Sequence, residues 1–379
     1  MPHAHIPQSN SRQEKGLTIA QLNGQVRRID DNNYFVKSQS GNGEYQVING
    51  ELGWLCSCPD HMFRGAQKCK HIFATEFSQK LRQTVQQIVT TIKPIDSQAC
   101  VRCASNHIVK DSKRKTKFGE IQRWRCQSCG KRMTFNLGFE KRRASPQTIT
   151  TCMQLYFSGE SLRSVQKFLA LQGIKMSHMA VYRWISAYTA QMDKYLQTIQ
   201  PSVSDTWRTD ELWLRIKKSQ KYSYALMDDQ TRYWIAMQIA HSKGKEDVTP
   251  LFREGKRVAG KRPLTLISDG APNFADAYSQ EFWTMKNPRT VHIKHIRLHG
   301  DHNNNKMERF NGEIRDREKT MRSLKRMDTP ILKGYQIYHN YFRPHEGLNG
   351  DTPASQAGIK IEGTNKWITL IQNARKFQN

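Results

Sequence analysis

No apolar run in the 379 residues approaches 18, so no segment has the length of a membrane-spanning helix. No basic stretch leading into an apolar one opens the chain, so no secretory leader is expected. Acidic residues are scarce, with 33 Asp and Glu against 60 Lys and Arg, a formal net charge of +27. That excess is more than solubility requires. Lys and Arg that neutralise phosphates release counterions, so the balance points to a nucleic-acid partner. Cysteine is also sparse, eight in all, and seven of them fall into two clusters with metal-ligand spacing. A reducing compartment follows, and the expected setting is soluble and cytoplasmic, nucleoid-associated, with no membrane partner.

Cys100-x2-Cys103 and Cys126-x2-Cys129, with 22 residues between the pairs, offer four thiolates to a tetrahedral Zn²⁺, the pattern of a zinc ribbon. Redox or disulfide cysteines are the competing reading, which the strict pairing disfavours. The ribbon lies in a basic stretch: residues 100 to 143 hold 13 Lys or Arg and 3 Asp or Glu. Such a run is more often a solvated face. Beside a zinc module it becomes a DNA-facing candidate, with Lys113 and Arg114 as phosphate contacts.

The second cluster is Cys56-x-Cys58-x10-Cys69-x-His71. It resembles the SWIM zinc finger, and that resemblance implies a closed structural Zn²⁺ site of three thiolates and one imidazole. His61 lies between the ligands and competes with His71, which the family pattern favours. Tyr34 to Lys37 and Tyr45 to Ile48, split by Gly41-Asn42-Gly43, read as a supporting hairpin. Cys152, left over, is predicted in a helical core.

Residues 144–200 read as three helices. Ser145-Pro146 starts the first, Ser158-Gly159 breaks it, Ser161 to Leu171 is the second, Gly173 turns the chain and Ser177 caps the third. In the third, Val181, Trp184, Ile185 and Tyr188 share one face and leave His178, Tyr182 and Arg183 outward. The pattern resembles a helix-turn-helix whose last helix enters the major groove. A trihelical core without DNA contact is the alternative.

Further on, three acids stand in different local contexts. Asp210 lies in the strand-like run Trp207 to Ile216, Asp269 ends the strand-like Leu264 to Asp269 before Gly270, and Glu308 sits in a helical stretch opening near Asn303. Between them, Tyr222 to Met227 and Arg232 to Ala240 read as a hairpin with Asp228 and Asp229 in its turn. A helix near Asp247 to Glu254, another from Ala271 to Trp283 and a strand from Val291 to Ile296 complete the order. Three converging carboxylates repel one another unless hard cations neutralise them, so Mg²⁺ is the natural occupant. Taken as bare letters, such a triple is expected by chance among 33 acids.

The element order, Thr209-Asp210-Glu211, Ser268-Asp269-Gly270, Asn304 before Glu308, and the tail Tyr341-Phe342-Arg343-Pro344-His345 through Leu348 to Thr352-Pro353-Ala354 resemble the catalytic domain of DDE-type insertion-sequence transposases, related to retroviral integrases. The resemblance covers 204–360 and implies an α/β, RNase H-like core, a mixed five-stranded sheet flanked by helices. It also implies two Mg²⁺ (or Mn²⁺) held by Asp210, Asp269 and Glu308, DNA contacts from Arg309 and Arg315, double-stranded DNA as substrate, and a homodimer or larger assembly. Glu313 and Glu318 are rivals to Glu308 on the same helix; Glu308 is favoured because Arg315 falls seven residues on, where the family carries a basic residue.

The expected organisation is therefore a flexible tail over 1–25, a SWIM finger over 26–92, a zinc ribbon over 96–140, a helix-turn-helix over 144–200, the catalytic domain over 204–360 and a tail over 361–379. The expected function is strand cleavage at the ends of a mobile element and joining of the freed 3′-hydroxyls to target DNA. A non-catalytic DNA-binding regulator of the same descent is the alternative. A nuclease of the RNase H or junction-resolving kind explains the acids but not the zinc modules. His292, His295, His299 and His302 read as surface or DNA-contacting histidines, and His339 and His345 as residues that orient helix packing or DNA.

Overall fold

The computed structural model describes residues 11–378 apart from 23, 30–31, 51–52, 65–66, 86–89, 96–98, 101, 117–118, 141, 218, 286–287, 295–304, 322–323, 325 and 328. In chain order its elements begin with α1 (Ser11–Gln21), β1 (Val26–Arg28), β2 (Asn33–Lys37), β3 (Glu44–Gly50), β4 (Gly53–Cys56), α2 (Pro59–Arg64) and α3 (Lys70–Val85). There follow β5 (Thr90–Ile92), β6 (Ile108–Thr116), β7 (Gly119–Cys126), β8 (Arg132–Met133), α4 (Pro146–Ser158), α5 (Leu162–Leu171) and α6 (His178–Leu196). The remainder comprises β9 (Thr206–Ile216), β10 (Ser219–Asp228), β11 (Trp234–Ala240), α7 (Lys245–Ala259), β12 (Thr265–Ser268), α8 (Pro272–Glu281), β13 (Val291–Lys294), α9 (Asn305–Thr320), α10 (Pro330–Tyr341), α11 (Pro353–Gln356), β14 (Ile359–Ile361) and α12 (Lys366–Phe377). Among the described residues no helix is long and apolar enough to cross a membrane.

Two compact units divide the chain. The first comprises the described residues of Met1–Ile88, Pro201–Ile314 and Gln356–Gly358; the second those of Val89–Gln200, Arg315–Ser355 and Ile359–Asn379. This division cuts across the expected 204–360 domain, and α9 contributes its Glu308 half to the first unit.

In the first unit, β9, β10 and β11 form an antiparallel meander, and β12 and β13 add in parallel, giving a mixed sheet in the order β11-β10-β9-β12-β13. The strands are apolar because their inner faces are buried by helices. Phe252 of α7 stacks on Phe282 at 4.7 Å, and Trp207 of β9 meets Phe282 edge-on at 5.9 Å. Gly255 permits the close approach of α7 to the sheet: a Cβ there would stand 2.4 Å from Leu226. The same unit holds the four-stranded sheet β1-β2-β3-β4, whose β2–β3 hairpin is the one read from sequence.

The expected flexible tail is only partly a correct description. Residues 11–21 are helix α1, in which Ile19 is fully buried, and Gly16 is so close to α3 that a Cβ would lie 2.6 Å from that of Phe73. Residues 1–10 fall outside the described part. Its apolar content is too low to reveal the helix locally; the packing partner is far away in sequence.

The second unit carries the three-stranded sheet β6-β7-β8 and a helical body. Ser145, Ser161 and Ser177 cap α4, α5 and α6, each accepting from a backbone N–H three residues on. Val181, Trp184, Ile185 and Tyr188 are buried, Arg183 is exposed and His178 and Tyr182 are half-buried. Cys152 is fully buried in α4.

Within the expected tail over 361–379, Lys366–Phe377 is a packed helix. Trp367, Leu370, Ile371 and Ala374 of α12 are buried, and Phe157 of α4 stacks on Trp367 at 6.0 Å and on Tyr338 of α10 at 6.1 Å. The helical spacing of those four apolar residues marks one buried face.

Candidate active site and metal centres

Asp210 sits midway along β9, Asp269 one residue beyond the end of β12, and Glu308 in the first turn of α9. Gly270, at φ +88°, turns the chain out of β12 so that Asp269 faces the start of α8, where it accepts from the N–H of Ala271 at 3.0 Å. One oxygen of Asp210 accepts from the N–H of Glu211 and the other from Nδ2 of Asn311, both at 2.8 Å.

Asn311 lies three residues after Glu308, so the two project from neighbouring positions on one helix face. The face that touches Asp210 is thus the face of Glu308. Glu313, two positions past Asn311, is turned roughly 200° away, and Glu318 lies about two turns further along. Burial pushes the Asp210 carboxyl up, the N–H of Glu211 partly offsets it, and the charges of Asp269, Glu211 and Glu308 push the same way as burial, bringing it to about 6. The charges of Asp269 and Glu308 thus reach Asp210, although the three acids are not among the groups whose ligand atoms all lie within 4.8 Å of one another.

The sequence reading missed Asn311 and Lys243, and took Glu211 only as part of the motif around Asp210. The Lys243 ammonium pairs with Glu211, stands 5.1 Å from the ring centre of Tyr222 and 5.8 Å from that of Trp213, and is raised in pKa first by Glu211 and also by Asp269. Asn311 could have been found as the residue one turn past Glu308; Lys243 has no local signal. Asn304 lies outside the described residues. Arg309 and Arg315 are exposed on α9.

A cluster of acids with one carboxyl raised in this way fits a divalent cation, whose charge offsets the mutual repulsion. Below about pH 6 the metal must displace a proton from Asp210. The Mg²⁺ concentration for half-maximal binding is expected to rise towards about tenfold per pH unit as pH falls below 6, and to level off above it. Calorimetric titration from pH 5 to 8 checks this; a midpoint unchanged between pH 5 and 7 contradicts it.

Two groups elsewhere do bring four donor atoms within 4.8 Å of one another: Cys56, Cys58, Cys69 and His71, and Cys100, Cys103, Cys126 and Cys129. In the second, the Cys100–Cys129 and Cys103–Cys126 sulfurs are 3.6 Å apart. A tetrahedron with Zn–S bonds of about 2.3 Å has edges of about 3.8 Å, so the spacing fits Zn²⁺. Burial raises the Cys126 thiol, but the N–H groups of Cys129 and Ser128 and neighbouring thiols lower it further, to about 6. In the first group, His71 Nδ1 is 3.9 Å from Cys56 Sγ and 4.0 Å from Cys69 Sγ. The hydrogen bond from Cys56 is the main cause that lowers the Cys69 thiol to about 3. Cys56 ends β4 while Cys69 and His71 lie at the start of α3. The rival His61 instead has Nδ1 3.1 Å from the carbonyl oxygen of Gln67.

The remaining polar residues divide. His292 is half-buried: its Nε2 lies 2.8 Å from Ser268 Oγ, it packs on Tyr278 at 5.1 Å, and burial, with Lys294, lowers it to about 4. His295, His299 and His302 lie outside the described residues. His339 and His345 are buried and meet edge-on at 4.6 Å. Lys113 and Arg114 are exposed on β6, Lys113 3.3 Å from Glu120.

Residues 204–345 match the family model described as a DDE domain, of the IS240 transposase type. Relatives include the transposase for insertion sequence-like element IS431mec of Staphylococcus aureus and the transposase for insertion sequence element IS257 in transposon Tn4003 of the same species. Each is 23% identical over 230 residues, covering 59% of this chain and 98% of the relative. Among solved structures, the HTLV-2 integrase catalytic core domain in complex with magnesium is similar at 16% identity and a TM-score of 0.30, covering 41% of this chain and 95% of that one.

Proposed function

We propose that the chain is a DDE transposase that binds the ends of its mobile element, hydrolyses phosphodiesters there and joins the freed 3′-hydroxyls to target DNA. The observation that carries this reading is the match of residues 204–345 to a DDE domain, and the charges of Asp269 and Glu308 that help raise the Asp210 carboxyl to about 6 support it. Asp210, Asp269 and Glu308 would hold two Mg²⁺ (or Mn²⁺), whose chemistry when bound would be to activate a water or 3′-hydroxyl and to stabilise the leaving oxygen. Asn311 orients the Asp210 carboxylate, and Lys243 balances the neighbouring Glu211. Cys56, Cys58, Cys69 and His71 would hold one structural Zn²⁺, as a SWIM-type finger, and the four ribbon cysteines a second. The helices α4, α5 and α6 act as a helix-turn-helix, with His178, Tyr182 and Arg183 facing the groove. Lys113, Arg114, Arg309 and Arg315 contact the phosphate backbone. Joining two ends requires a homodimer or larger assembly on double-stranded DNA.

Binding to duplexes carrying the DNA that flanks the gene, measured in Ca²⁺ against salt, tests the recognition half of this reading. Random duplex is expected to lose affinity steeply, each phosphate contact adding about 0.9 to the log–log slope. End DNA should share that slope and keep an offset, which Arg183→Ala reduces by about 1–3 kcal/mol. Lys113→Ala and Arg114→Ala should lower both curves together. Equal losses on end and random DNA from Arg183→Ala would move base reading away from α6.

A further inference from the structure

Asp229 has the sequence of a turn residue and does follow β10 in the hairpin turn, yet it is fully buried and has three cations around it. Arg208 Nε donates to its Oδ1 at 2.5 Å, Lys306 Nζ donates to the same oxygen at 3.0 Å and to the Asp229 carbonyl at 3.1 Å, and Arg28 Nη1 lies 3.4 Å from Oδ2. Burial alone would push this carboxyl up; Arg208, Lys306 and Arg28 more than reverse that and hold it well below the usual carboxylate range. One carboxylate buried with three cations is a costly arrangement, since each charge gives up water. A hydrophobic residue would fill the space without that cost, so the cluster's value lies in what it holds in place.

The three cations come from three places that matter to the acid site. Arg208 is two residues before Asp210 on β9, and therefore on the same face of the strand. Lys306 is two residues before Glu308, at the start of α9. Arg28 ends β1, and its carbonyl accepts from Thr206 Oγ1 at 2.5 Å, at the first residue of β9. Val26 of β1 is in turn part of the buried cluster that contains Cys56, Cys58 and Cys69. Asp229 thus joins the strand of one catalytic acid, the helix of another and the sheet of the N-terminal zinc module, all within the first unit.

We propose that Asp229 is a positioning residue that sets the spacing between Asp210 and Glu308 by clamping Arg208 and Lys306, and that Arg28 ties this clamp to the folded N-terminal zinc module. The inference rests on the reading of Asp210, Asp269 and Glu308 as a divalent-metal site. Lys306 is the handle for a test because it is partly exposed and its loss leaves Asp229 paired with two arginines.

Mn²⁺ binding to the full chain without DNA, followed by electron paramagnetic resonance of the free ion, reads the site without requiring turnover. Lys306→Met is expected to weaken binding about tenfold, as loss of groups that orient metal ligands does, and Lys306→Arg to restore it to within about threefold. Arg28→Met should weaken it about threefold by the same route. Zinc content should stay at wild-type level in all three, which a general loss of fold would not allow. A Lys306→Met midpoint within about twofold of wild type overturns the clamp, and an unchanged Arg28→Met midpoint overturns the link to the zinc module. Asp210→Asn separates these failures from that of the underlying reading: if it too binds Mn²⁺ like wild type, the metal site itself is wrongly placed.

Discussion

Asp210→Asn, Asp269→Asn and Glu308→Gln are each expected to lower DNA cleavage and strand transfer by about 10³-fold or more, equivalent to ~4 kcal/mol of transition-state stabilisation. Each substitution keeps the shape of the side chain and removes one negative charge from the metal-holding set. Binding of end DNA should stay within a few fold, because the proposed DNA-reading residues lie on other elements. Asp210→Asn is the sharpest of the three. It leaves an acceptor for the Glu211 N–H and removes the carboxyl that burial and neighbouring acids raise to about 6. Gel assays of labelled duplex in Mg²⁺ measure the loss. Retention of activity by Glu308→Gln together with its loss in Glu313→Gln would transfer the third acid to Glu313, against the helix face that Asn311 defines.

The second large effect concerns zinc. Protein purified under reducing conditions is expected to contain two Zn²⁺ per chain, and Cys126→Ser with Cys129→Ser to contain one. Structural zinc contributes roughly 10–16 kcal/mol of apparent binding free energy to modules of this kind, comparable to the whole stability of a domain. The ribbon's buried cluster is small, built on Cys100, Cys126 and Met133 with partly buried Ile108, Trp124, Cys129 and Phe135 around it. The double variant should therefore lose protection of the β6–β7 amides in hydrogen exchange while α4 and α6 keep theirs. Elemental analysis showing one Zn²⁺ in the wild-type chain would remove one of the two sites from the account.

Much of this architecture was legible because its causes are local. Ser145, Ser161 and Ser177 are capping residues by chemistry, and each starts a helix where it stands. The runs around Trp207 and Leu266 are apolar because both strands lie inside a sheet covered by α7 and α8, and such strands are recognisable from composition. Asp210, Asp269 and Glu308 were singled out because each sits at a recognisable point of that element order, on β9, just past β12 and on α9.

What escaped depends on partners distant in sequence. Helix α1 has one fully buried side chain, Ile19, and its packing on α3 joins residues more than fifty positions apart, so its composition reads as a tail. Helix α12 was assigned to a tail because the family-like motifs end near Ala354, although its apolar spacing is that of a buried helix. Asp229 followed the local rule for turns correctly. Its burial comes from Arg28 and Lys306, 201 and 77 residues away, and no local pattern encodes them. The half-burial of His292 has the same kind of cause, since Tyr278 and Ser268 lie 14 and 24 residues before it.

Strand transfer by the purified full chain tests the central claim most directly. Labelled duplex made from the DNA flanking the gene is incubated with supercoiled plasmid in Mg²⁺, and covalently joined product is scored on a denaturing gel. The account predicts joined product with the wild-type chain in Mg²⁺ or Mn²⁺, little in Ca²⁺, and none with Asp210→Asn. Tight binding of that duplex by the wild-type chain, with no cutting or joining in Mg²⁺ or Mn²⁺, would contradict it and leave a DNA-binding regulator in its place.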